Sequence, residues 1–74
     1  MRGIVRSVEH HRLAAKQHDA AGRRHEQAAS FWAERGDSKR AELERRNVEI
    51  ERAAAQLERD RADLLEREDA AEAS

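Results

Sequence analysis

The run Trp32-Ala33-Glu34-Arg35-Gly36-Asp37-Ser38-Lys39-Arg40-Ala41 decides the fold of this 74-residue chain. It holds the one strong helix breaker between two long helix-forming stretches, and proline is absent throughout. Gly36 suits the left-handed position that closes a helix, and Asp37 or Ser38 can cap the helix that follows. The sequence therefore predicts a first helix over about 4–35, a turn at about 36–37, a second helix over about 38–70 and a frayed tail at about 70–74. A turn so short obliges the helices to run antiparallel. Each would be roughly 50 Å long.

Upstream of the turn, His11, His18, His25 and Trp32 follow one another at intervals of seven. Each histidine opens a block of one design, with alanine in fourth place (Ala14, Ala21, Ala28) and Ala15, Gly22 or Ala29 in fifth. Seven residues are almost two helical turns, so this register draws one straight stripe of small residues flanked by imidazoles. Gly22 inside a helix costs roughly 1 kcal/mol against alanine. Its place in the stripe points to close backbone approach rather than a break.

Downstream, Leu43, Ile50, Leu57 and Leu64 form a second heptad, widened by Leu65. Folding the chain about Gly36 is expected to set Gly22 against Ile50, Ala15 against Leu57, Ala29 against Leu43, and Val8 against Leu64 and Leu65. Small would then oppose large along the whole length. With Ile4 and Trp32, these are the residues expected to carry assembly. A lone hairpin leaves one side of each stripe wet. The expected architecture is thus an all-α, coiled-coil-like antiparallel hairpin, paired into a four-helix bundle as a homodimer or docked on a larger protein. Phe31 and Trp32 beside the turn are expected to plug the bundle end.

Composition narrows the function. Charged residues make up 42% of the chain and cysteine is absent, which excludes disulfide and thiolate–zinc staples. No apolar run approaches the ~18 residues of a membrane span, and no secretory leader is visible. A cytoplasmic chain without membrane contact is expected. Residues 1–36 carry seven Lys/Arg against four Asp/Glu, and residues 37–74 eight against twelve. The halves attract each other, which suits self-pairing better than a nucleic-acid surface. A glycine-rich phosphate loop, a Ser/His/Asp set and tyrosine are all missing from the sequence. The expected role is non-enzymatic: oligomerisation, adaptor work, or service as a small accessory or inhibitory subunit.

The histidines admit three readings. As structural residues they would fill gaps beside alanines and bond across the bundle, His25 to Asn47 and His11 near Asp60 or Arg61. As pH sensors they would charge below about pH 6 and loosen an interface. As metal ligands, His11, His18 and His25 would suit zinc, copper or nickel. Consecutive members of the stripe lie ~10.5 Å apart, so one ion cannot bridge them, and the chelating spacing of three or four residues is filled by alanine and glycine. A site would need ligands from another helix or chain.

The His-x-x-Ala-Ala-x-x blocks at 11–31 resemble small bacterial metal-binding proteins built from histidine-bearing helical heptads. The resemblance implies an all-helical chain that holds copper or a related transition-metal ion through these imidazoles, and no other cofactor. The chain departs from that pattern in having no histidine in its second helix. Phe31–Ala41 also resembles the inter-helix turn of a tetratricopeptide repeat, a likeness of turn and not of fold. A further reading is nucleic-acid binding by the first helix, with Arg12, Lys16, Arg23 and Arg24, together with Arg2 and Arg6, as phosphate contacts. Acidic residues interrupt that face, and the chain as a whole is not basic.

Overall fold

The computed structural model describes residues 2–73, the side chain of Arg2 excepted. Helix α1 runs Arg2–Glu34 and helix α2 runs Ser38–Ala73. They pack along their full length as an antiparallel hairpin measuring 58 × 14 × 11 Å. Helix α2 continues past the expected end at about 70 to Ala73, and Ser74 lies outside the described residues. Asp69-Ala70-Ala71-Glu72-Ala73 contains three alanines and no breaker, which explains the continuation.

The bend is built as the sequence demands. The amide of Asp37 donates to the Trp32 carbonyl at 3.0 Å and that of Gly36 to the Ala33 carbonyl at 3.0 Å. This pair of crossed bonds closes α1 in a Schellman motif, and it requires the left-handed backbone of Gly36, whose φ is +78°. Asp37 then caps α2: its Oδ1 accepts from the Arg40 amide at 2.9 Å, and its Oδ2 pairs with the Arg40 guanidinium. These bonds hold the Asp37 carboxyl below its ordinary range, the backbone bond from Arg40 contributing most. Arg40 also lies over the Trp32 ring at 5.0 Å, and Arg35 over Phe31 at 3.4 Å. Trp32 is half-buried and Phe31 exposed, so one aromatic seals the bend while the other faces solvent.

The seam corrects the expected facing of α2. The α1 line of Ala15, Gly22 and Ala29 is buried as expected. Its counterpart on α2 is Ala41, Val48, Ala55 and Ala62, which are 0–5% exposed. Leu43, Ile50, Leu57 and Leu64 stand 50–63% exposed. Gly22 therefore lies over Glu51, whose Cβ is 3.6 Å from where a glycine side chain would begin, and not over Ile50. Small opposes small. Two residues of helix turn through about 200°, so choosing the alanine line over the leucine line sends the leucines to the far side of α2. The reward is close backbone approach: alanine against alanine brings the helices into dense contact that leucine would hold apart.

Candidate interaction surface and the histidine seam

The seam contains a second line on each helix, three or four residues from the small one. On α1 it reads Ile4, His11, His18, His25, Trp32; on α2 it reads Glu44, Glu51, Glu58, Leu65. Both lines are half-buried. They meet as a ladder. His11 Nδ1 lies 2.5 Å from Glu58 Oε2, His18 Nδ1 2.6 Å from Glu51 Oε2, and His25 Nδ1 2.6 Å from Glu44 Oε2. Because the helices are antiparallel, the numbers of each pair share one sum, which is what a straight ladder with equal heptads on both rails requires. Glu58 also accepts from Arg61 at 2.6 Å. The His11 hydrogen bond, with Arg61 adding to it, holds the Glu58 carboxyl below its ordinary range.

This geometry overturns the partners expected for the histidines. His25 bonds to Glu44 rather than Asn47, and His11 to Glu58 rather than Asp60 or Arg61. The cause is the same change of face on α2, which brings the glutamate line to the seam.

As metal ligands, His11, His18 and His25 each already engage a glutamate through Nδ1. Among the described residues, no three or more His, Asp or Glu side chains converge on one point. Each rung offers at most one imidazole and one carboxylate, fewer than the three or four protein donors usual for zinc.

One flank of the seam is sealed by ion pairs: Arg12 with Glu66, Asp19 with Arg59 at 3.0 Å, and Glu26 with Arg52. Arg12, expected as a phosphate contact, is thus turned towards Glu66 and Asp63. Lys16, Arg23 and Arg24 are exposed elsewhere on α1. Arg6 is exposed too, and the Arg2 side chain lies outside the described residues. Exposed pairs of this kind contribute about 0.2–1 kcal/mol each, less in salt.

The outer side of α2 is different in kind. Leu43, Ile50, Leu57 and Leu64 form one line over six turns, about 31 Å long, with Ala53 and Ala54, the former exposed, between the two middle members. On α1, Val5, Leu13 and Phe31 are exposed but stand well apart along the axis, Val5 and Leu13 by about 12 Å and Leu13 and Phe31 by about 27 Å. Among the described residues, the leucine line is the one apolar row that repeats at every heptad and stays open. Single exposed leucines need no explanation, but four in register do.

Of the residues expected to carry assembly, Ala15, Gly22 and Ala29 lie inside the hairpin, and Ile4, Val8 and Trp32 are half-buried along the same seam. Leu43, Ile50, Leu57 and Leu64 lie outside. The glutamate rail escaped sequence reading, although its signal was present. Glu44, Glu51 and Glu58 repeat at the histidines' own interval. Among the described residues, no helix is long and apolar enough to cross a membrane. Compared with protein-family models, curated proteins and solved structures, the chain matches none.

Proposed function

We propose that the chain is a non-enzymatic helical interaction module that acts by presenting the outer stripe of α2 to another protein surface. The observation that supports this is the division of labour within α2. Its alanines close the hairpin, and its large apolar residues are withheld from the core and aligned on the outside. A hairpin that needed those leucines for its own stability would have turned them inward. Burying apolar surface is worth roughly 25 cal/mol per Å², so a partner that covers the line gains what the hairpin forgoes.

The test is site-specific photo-crosslinking in cells expressing the chain. A photoreactive side chain at Ile50 should give protein adducts, whereas one at Gln27, exposed on α1, should give few. Replacing Leu57 by aspartate in the Ile50 probe chain should suppress the adducts while leaving helix content unchanged. Absence of adducts at Ile50 would overturn the reading.

A further inference from the structure

We infer that the occupant of the α2 stripe is a second copy of this chain, docked antiparallel about a two-fold axis that passes between Ala53 and Ala54. This rests on the interaction reading above and adds to it the partner, the direction and the register.

The first observation is area. A compact monomer of 8.5 kDa exposes about 4,700 Å² by the usual scaling of surface with mass, and the hairpin exposes 5710 Å². The excess, about 1,000 Å², is close to the ~800 Å² that each partner contributes to a standard interface. One further chain of the same size suffices to cover it.

The second observation is the symmetry of the stripe. An isologous interface needs a surface that is unchanged when its direction is reversed. Counting outward from the point between Ala53 and Ala54, the stripe meets Ile50 and Leu57 at one equal distance, then Leu43 and Leu64 at another. Reversed, it keeps the same spacing and apolar character, with Ile50 and Leu57 exchanging places. The centre is also where the residues are smallest, so two α2 helices can approach closely at Ala53 and Ala54 while the larger pairs interlock on either side.

The third observation is charge. Two-fold symmetry returns each flank of the stripe to itself, which brings Arg46 within one residue, about 1.5 Å along the axis, of the partner's Asp60 on one flank, and Asn47 as near to the partner's Arg61 on the other. Two-fold symmetry makes each contact twice. A parallel arrangement sets Arg46 level with its own copy and Asp60 with its own, which repels. On the two lines that flank the stripe, the like-signed pair is Lys39 with the partner's Arg67, at the wet ends where salt screens it. Because the stripe lies away from the seam, the product is four helices side by side, α1–α2–α2–α1, and not a closed square bundle.

The native chain has no cysteine, so single cysteines report proximity without background. The mass of the wild-type chain, measured by light scattering over about 1–200 μM, should be that of a dimer at the upper end. Under mild oxidation Ala53→Cys should link to itself. Leu43→Cys should link efficiently only when mixed with Leu64→Cys. Arg46→Asp should raise the dimer dissociation constant about tenfold or more, and adding Asp60→Arg should recover most of it, with circular dichroism showing intact helices in both. Self-linking of Leu43→Cys as ready as that of Ala53→Cys would overturn the antiparallel register. A monomeric mass throughout would overturn the second copy altogether. The interaction reading would then stand if the Ile50 photo-adducts have masses other than twice the chain, and fall with it if there are none.

Discussion

Two lines of side chains run the length of α2, two residues apart in sequence, and they obey opposite rules. The inner one, Ala41, Val48, Ala55 and Ala62, is nearly all alanine and fully covered. The outer one, Leu43, Ile50, Leu57 and Leu64, is large and half exposed. Hydrophobicity alone ranks the outer line as core. Packing geometry ranks the inner one, because small residues let two backbones approach and bring His11, His18 and His25 within reach of Glu58, Glu51 and Glu44. The difference teaches that in this hairpin closeness of approach, not bulk, selects the buried face. What the hairpin loses in buried apolar area it offsets with dense contact and a hydrogen-bonded ladder.

The sharpest way to break the comparison is to exchange the rules. Ala55→Leu places a large side chain where there is no space, and overpacking of this kind costs about 1–3 kcal/mol. In thermal unfolding that corresponds to a fall of several degrees or more in the melting temperature of so small a chain. Leu57→Ala should leave the melting temperature of the dilute hairpin almost unchanged, within about 0.5 kcal/mol. Were Leu57→Ala the more damaging of the two at low concentration, the assignment of inner and outer faces would be wrong.

A smaller effect of opposite sign should come from Gly22. A methyl group there would meet Glu51 Cβ at an ordinary contact distance of 3.6 Å. Gly22→Ala should therefore stabilise the hairpin by roughly 0.5–1 kcal/mol through helix propensity alone. Gly22→Leu should instead destabilise it. Chemical denaturation of the three proteins distinguishes a merely tolerated glycine from one the close approach requires.

The smallest effect concerns the ladder and is read from pH. Glu58 has its carboxyl held down chiefly by His11, so its contribution is present above the ordinary glutamate range and is lost as pH falls through the lowered value. The difference in melting temperature between wild type and Glu58→Gln should accordingly be present at neutral pH and close on acidification below the carboxylate range. A difference that persists unchanged at pH 2 would show that Glu58 acts by packing alone.

Much of this molecule was legible in its sequence. Gly36 and Asp37 announced the bend because each supplies a conformation or a cap that few other residues can. Ala15, Gly22 and Ala29 announced the inner face of α1 because no competing stripe exists there. On α2 two heptads compete, and a period of seven is blind to which one faces inward. The leucines looked like core by transfer energy. What decides for the alanines is how closely two backbones can approach, a relation between two helices that the periodicity of either one does not contain. The open leucine stripe follows from the same exchange.

The ladder also carries a hidden freedom. Its rungs are evenly spaced and alike, so sliding one helix past the other by a single repeat would bring His11 to Glu51 and His18 to Glu44 with the same chemistry. Along the hairpin only the flank resists, where Arg12 would exchange Glu66 for Arg59. What fixes the alignment is its tether: the tight bend between Glu34 and Ser38, locked by Gly36 and Asp37, acts as the zero mark of a ruler whose divisions are otherwise interchangeable.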